Sequence, residues 1–217
     1  MIITEQKPFQ EIIDSLKGYT RIFLIGCGEC ATTCKTGGEE ELLKIKSQLE
    51  ASGKTVLGMC IPGSPCLAPQ IKTELARNMK LLRDADAILA LACGLGVQSI
   101  KDNDRLGLMI LPGCNTLFGA VMDAQGNFFE KCSLCGECVL DVTAGICPIT
   151  LCSKGLLNGP CGGVNKGKCE VDNEKDCAWV LIYKELEKRN KLDELKKIQT
   201  PKDFKKATKP HKLIMAK

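Results

Sequence analysis

The chain has 217 residues and a net charge of +4, and 44% of its residues are hydrophobic but only 4% aromatic. This length suits one large domain or two small ones, with a core built mainly from aliphatic side chains. No apolar run approaches the roughly 20 residues that cross a bilayer, and the start lacks a signal peptide's hydrophobic stretch, so we expect no membrane span and a cytoplasmic location.

Residues 1–125 alternate between short apolar runs and helical segments. The runs at 21–25, 55–59, 87–92 and 107–111 are predicted to be strands. Between them, three glutamates from Glu39 open a helix where its dipole favours negative charge, and a second helix is predicted over 71–82. Strands that alternate with helices predict a small parallel sheet of the flavodoxin or Rossmann type.

The rest of the chain has a different character. Residues 126–177 contain eight cysteines among glycine and turn residues, and a segment so poor in core-forming residues needs a metal framework to fold. Residues 178–217 are predicted to form a helix, roughly Ala178 to Ile198, followed by a basic tail. We therefore expect an α/β domain, an irregular cysteine-rich iron–sulfur domain, and a C-terminal helix with an extended tail.

Cysteine usage limits the chemistry of the whole chain. There are fifteen cysteines but one histidine, His211 in the tail. In a reducing cytosol these thiols favour metal binding over structural disulfides. The shortage of histidine excludes mixed cysteine–histidine zinc fingers and histidine-based triads, so all-thiolate coordination of zinc or iron–sulfur clusters remains.

The strongest motif is Cys132-x-x-Cys135-x-x-Cys138, because bacterial ferredoxins use this spacing to bind a cubane cluster. Five further candidate ligands follow: Cys147, Cys152, Cys161, Cys169 and Cys177. Eight thiolates match two [4Fe–4S] clusters; the alternative is one cluster plus a four-cysteine zinc site. The spacing does not determine which cysteine is the fourth ligand of each site.

A second group of thiols follows the predicted strands of the first domain. Cys27, Cys30 and Cys34 come after the first strand, and Cys93 or Cys60 is the candidate fourth ligand. Ligands bind at the carboxyl edge of an open parallel sheet, so we predict a third cluster or a zinc ion there. The alternative for these thiols, and for Cys66 and Cys114 above all, is a role as small buried hydrophobes.

Several stretches resemble the methylenetetrahydrofolate reductase C-terminal domain family. They are Cys132-Ser-Leu-Cys-Gly-Glu-Cys-Val-Leu-Asp141, Gly145-Ile-Cys-Pro-Ile-Thr150, Leu156-Leu-Asn-Gly-Pro-Cys-Gly-Gly163 and Lys168-Cys-Glu170. In anaerobes, members of this family form the small iron–sulfur subunit beside a flavin-bearing catalytic subunit. The resemblance implies a role in reducing methylenetetrahydrofolate to methyltetrahydrofolate, with the flavin in the partner only.

Two functions follow from these observations. The first is an electron-transfer subunit that passes electrons to the flavin subunit, with a ferredoxin or another protein as the donor. The alternative is a zinc-bearing structural or assembly module that scaffolds the same partner. An enzyme with a cysteine nucleophile lacks a general base, and Phe204 is the only aromatic side chain of the basic tail, which argues against nucleic-acid binding.

Overall fold

The computed structural model describes residues 1–215 of the chain. It divides into two compact units, Met1–Phe118 and the residues from Gly119 onward. In this described part, no helix has the length and apolar character needed to span a bilayer.

The first unit alternates strands and helices along the chain. Its strands are β1 (Ile2–Gln6), β2 (Arg21–Ile25), β3 (Thr55–Cys60), β4 (Ala87–Ala90), β5 (Met109–Pro112) and the start of β6 (Cys114–Met122). Its helices are α1 (Phe9–Ser15), α2 (Cys30–Thr33), α3 (Glu39–Ala51), α4 (Ala68–Arg77), α5 (Met79–Leu82) and α6 (Gly94–Asn103). The glutamate-rich start of α3 is confirmed, and the Glu41 carboxylate accepts a hydrogen bond from the Gly38 N–H at 2.9 Å.

The predicted parallel sheet is confirmed, with strand order β3-β2-β4-β5. Side chains alternate between the two faces of β2. Ile22 and Leu24 pack with α1 and α3 on one face, and Phe23 and Ile25 pack with α4, α5 and α6 on the other. All four residues of β4 are buried, as expected for a strand covered on both faces. The sheet is therefore doubly wound.

Two features of this unit differ from the sequence prediction. β1 and β6 belong to a second, three-stranded sheet that the hydrophobic pattern did not indicate. The single helix predicted over 71–82 is interrupted at Asn78, which has φ −98° and ψ 9°. The Asn78 side chain donates to the Glu74 carbonyl at 2.9 Å and so satisfies the end of α4.

The second unit is mostly turns. Ala120–Met122 of β6 pair antiparallel with β7 (Phe128–Glu130), and the helices are α7 (Pro148–Leu151) and α8 (Ala178–Lys188). The helix predicted to reach Ile198 ends ten residues earlier, because Asn190 adopts a left-handed conformation (φ 53°) that asparagine tolerates. A short 3-10 turn, Leu192–Lys196, follows it. Trp179, Ile182 and Leu186 of α8 form a small core with Cys177.

Candidate metal centres

Cys27 and Cys93 both lie at the carboxyl edge of the parallel sheet. Cys27 follows β2 and packs against Ala31 and Ala92, while Cys93 directly follows Ala92; both cysteines are buried. The loop after β2 is tied to this edge through Gly37. The Gly37 carbonyl accepts from the Cys27 N–H at 3.0 Å, and the Gly37 N–H donates to the Ala31 carbonyl at 3.2 Å.

Cys66 also lies near this edge, although it was not among the predicted ligands. The loop after β3 folds back over the end of β2, since the Cys27 thiol lies 3.9 Å from the Gly63 carbonyl oxygen. Desolvation raises the pKa of the Cys66 thiol, and the charges of Cys93, Cys27 and Cys30 raise it further. Cys66 therefore lies within electrostatic reach of the other three thiols, and Cys27 within reach of Cys30 and Cys93.

The other two predicted ligands of this domain lie elsewhere. The Cys34 thiol points toward the Ile2 carbonyl oxygen at 3.9 Å, on the side of β1. The Cys60 side chain packs in the apolar layer between the sheet and α4, where burial raises its pKa to about 12. Cys30 accepts a hydrogen bond from the Ile2 N–H at 3.4 Å. It therefore contacts β1, as Cys34 does, and also lies near Cys66.

In the second unit, the Cys132–Cys138 loop is tightly curled. Leu134 (φ 54°) and Gly136 (φ 78°) both have left-handed backbones, and the Leu134 N–H donates to the Cys132 sulfur at 3.4 Å. The pKa of the Cys135 thiol is lowered, mainly by a backbone hydrogen bond from Glu137 and further by the side chain of Lys202. A loop that stabilises a thiolate in this way suits metal ligation.

Four of the remaining thiols line one small cavity beside α8. They are Cys152, Cys161, Cys169 and Cys177. The pKa of Cys169 is lowered by a backbone hydrogen bond from Val171 and then by the Ser153 hydroxyl, 3.7 Å from its sulfur. Cys147 is not among the lining residues; its sulfur lies 3.6 Å from the Thr150 hydroxyl at the start of α7. The cavity thus groups four of the eight predicted ligands, and the triplet and Cys147 lie outside its lining.

The chemistry of these donors fits a thiolate-bound metal, although the side chains are not arranged as a finished coordination shell. All fifteen cysteines are free thiols. Among residues 1–215, no three His, Cys, Asp or Glu side chains are close enough to hold a metal ion together. An all-sulfur donor set without histidine matches iron–sulfur clusters or a four-cysteine zinc site.

A larger groove next to α8, which shares Trp179 with the small cavity, does not have the character of a metal site. It has a volume of about 350 Å³ and apolar walls that include Trp179, Tyr183 and Leu195. Among its polar residues, Asn158 is paired with the backbone of Gln199 through two hydrogen bonds of 2.9 and 2.7 Å. This pairing holds the chain that follows α8 against the loop that contains Asn158.

Comparison with known families finds a similarity in the second half of the chain. Residues 111–205, a little under half of the chain, match the family described as "Methylene-tetrahydrofolate reductase C terminal". This match confirms the resemblance seen in the cysteine motifs. No curated protein and no solved structure matches the chain significantly.

Proposed function

We propose that the chain is an iron–sulfur electron-transfer subunit, because residues 111–205 match the methylene-tetrahydrofolate reductase C-terminal family. In this proposal it passes electrons to a separate flavin-containing subunit, which reduces methylenetetrahydrofolate to methyltetrahydrofolate. The second candidate is a zinc-bearing module that scaffolds that partner.

The observation that carries the proposal is the cavity lined by Cys152, Cys161, Cys169 and Cys177. Four thiols around one cavity are the donor set of a [4Fe–4S] cluster, and the triplet with Cys147 supplies the same set a second time. When bound, such clusters accept and release single electrons. The chain's own contribution is to hold the thiols, to donate hydrogen bonds to their sulfurs, and to limit access of water.

The first unit supports a third centre at the sheet edge. Of the ligands predicted there, Cys27, Cys30 and Cys93 share the edge with Cys66, whereas Cys34 and Cys60 point away from it. We therefore propose the set with Cys66 as the ligands of this centre, which takes a cluster or zinc.

A partner is needed because the sequence contains no resemblance to a flavin- or folate-binding barrel. We propose that the end of the basic tail contributes to that contact. Leu213, Ile214 and Met215 are all more than 70% exposed, and apolar anchors within a positively charged segment suit docking onto an acidic surface.

The test is to purify the chain anaerobically with its flavoprotein partner and to measure iron, zinc and acid-labile sulfide. We expect a brown protein with iron and sulfide in equal amounts. A colourless protein that contains zinc and no iron would contradict electron transfer and favour the scaffold. In the same preparation, a chain truncated after Thr208 should lose the partner if the exposed tail contributes to docking.

Serine variants test how the cysteine ligands are divided between the two proposed clusters of the second unit. Cys161→Ser should remove about four iron atoms, and Cys152→Ser combined with it should remove no more, because both thiols belong to one cluster. Cys135→Ser combined with Cys161→Ser should remove about eight. Cys114→Ser is the matched control, since its buried thiol donates to the Thr36 carbonyl at 3.4 Å and is not a proposed ligand. Additive losses from Cys152→Ser and Cys161→Ser would show that the division is wrong.

A further inference from the structure

The chain after α8 returns to the Cys132–Cys138 loop and is fastened there. We call residues 199–206 the strap. Glu137, between the second and third cysteines of the motif, binds it at three points: its carboxylate accepts from the Asp203 N–H at 2.9 Å and from the Lys206 ammonium at 3.3 Å, and its carbonyl accepts from Lys202.

The strap packs so closely on the Cys132–Cys138 loop that position 136 has room only for glycine. Gly136 has φ 78°, and a Cβ placed on it would lie 2.8 Å from the Lys206 carbonyl oxygen and 2.9 Å from the Lys206 Cβ. A side chain at this position would push the strap off the loop. The family match extends to residue 205 and so includes most of the strap.

Lys202 is the unusual residue of this contact. It is 9% exposed, and it is the one charged side chain among the buried residues of the described part of the chain. A buried ammonium group is costly unless a negative group faces it. Within residues 1–215 no carboxylate forms a close ion pair with Lys202. The Glu137 carboxylate binds the Asp203 N–H and Lys206, and it interacts with Lys202 only through charge at longer range.

The other group near Lys202 is the sulfur of Cys135, which is negative when it ligates a metal. The Lys202 ammonium donates to the Glu137 carbonyl oxygen, and the Cys135 sulfur lies 3.5 Å from that same oxygen, so the positive charge lies close to the sulfur. This charge helps to lower the pKa of the Cys135 thiol. Hydrogen bonds and positive charge next to ligating sulfurs stabilise the reduced state of an iron–sulfur cluster, which gains one negative charge on reduction.

We propose that Lys202 is a positioning residue that raises the reduction potential of the cluster held by the Cys132–Cys138 loop, and that the strap exists to deliver it. The proposal rests on the proposed function for the identity of the metal centre. It adds that one cluster of the chain is tuned by a residue sixty-four positions beyond the last cysteine of the motif.

The test compares Lys202→Met, Lys202→Arg and Lys205→Met in the full chain with its partner. Lys205 lies on the same strap but is exposed, so it is the matched control. The readouts are iron content and the midpoint potential of each cluster, followed by electron paramagnetic resonance during a redox titration.

In Lys202→Met, we expect one cluster to become about tenfold harder to reduce, which corresponds to about 59 mV for one electron. The other clusters should be unchanged, Lys202→Arg should recover most of the shift, and Lys205→Met should match the original chain. Unchanged potentials at full iron content would refute the proposal, as would an equal shift of every cluster. If Lys202→Met loses iron, recovery of both iron and potential in Lys202→Arg supports the proposal, and failure to recover them refutes it.

A separate measurement, of zinc release, distinguishes a failure of this proposal from a failure of the proposed function. If the original chain holds zinc and no iron, electron transfer is refuted, but Lys202 still faces a ligating thiolate. Lys202→Met should then lose its zinc to a chelator about tenfold faster than Lys205→Met. Equal rates would refute the role of Lys202.

Discussion

Gly37 joins the loop of Cys27 to the end of β4, and replacing it with alanine should separate the two. A Cβ on Gly37 would overlap the Leu91 carbonyl, lying 2.9 Å from its carbon and closer still to its oxygen, and would lie 3.0 Å from the Ala31 Cβ. Ordinary contact begins near 3.4 Å, so the loop must move by more than about 0.5 Å against the backbone. Such overpacking costs about 1–3 kcal/mol. The two hydrogen bonds of Gly37, to Cys27 and Ala31, add about 1 kcal/mol each if Gly37 is displaced from these two residues.

We therefore expect Gly37→Ala to lower the free energy of unfolding of the first unit by about 3–5 kcal/mol. With a urea dependence of about 2 kcal/mol per molar, the midpoint would fall by about 2 M. The assay is urea unfolding followed by far-ultraviolet circular dichroism. Gly94→Ala is the control, because its Cβ would meet only the Thr116 hydroxyl at 3.4 Å and alanine favours the helix that starts there. Equal midpoints for Gly37→Ala and the original chain would refute the reasoning.

Two further predictions concern side chains of the first unit. Burial raises the pKa of the Cys114 thiol to about 12. At pH 8 this thiol should therefore react with iodoacetamide about a thousandfold more slowly in the folded chain than in urea. Mass spectrometry of its peptide measures the two rates, and equal rates would contradict the burial of Cys114. Hydrogen bonds from the Arg21 side chain and from the backbone of Arg21 and Thr20 lower the pKa of Asp86 to about 2. The ionised Asp86 carboxylate therefore stabilises the fold above the unfolded pKa near 3.8, and this effect is lost as the pH falls through 2. Asp86→Asn should lower the urea midpoint at pH 7 but not near pH 2. A difference in midpoint that persists at pH 2 would contradict this role of Asp86.

The parallel sheet could be predicted because its strands are short, fully apolar and separated by helices. β1 could not, because its residues Ile2–Gln6 are apolar at one end and polar at the other, without a clear alternation. Its partner β6 crosses from one unit to the next, and only the last part of that strand pairs with β7. The end of α8 was not predicted because Leu192 and Leu195 continue the apolar pattern beyond Asn190, although asparagine is one of the residues that commonly end a helix.

The candidate sites, like the fold, could be predicted only in part from the sequence. Position after a strand predicts that a thiol lies near the sheet edge, but it does not tell which way the thiol points. Cys60 is the last residue of β3, and its side chain falls on the face covered by α4. Cys66 lies six residues further along and returns to the edge because the loop folds back on Gly63. In the cysteine-rich unit, left-handed residues such as Ala144 and Lys166 direct the chain, and such conformations are not evident from residue type.

The position of Trp179 gives the protein an internal optical reporter. It is the only tryptophan in the sequence, it is 6% exposed, and its indole N–H donates to the Leu156 carbonyl at 3.0 Å. The same ring borders the cavity lined by four thiols. Iron–sulfur clusters absorb light at the wavelengths where tryptophan emits, whereas zinc thiolates do not. The fluorescence of a single side chain therefore distinguishes an iron-filled cavity, which should be dark, from a zinc-filled one, which should be bright.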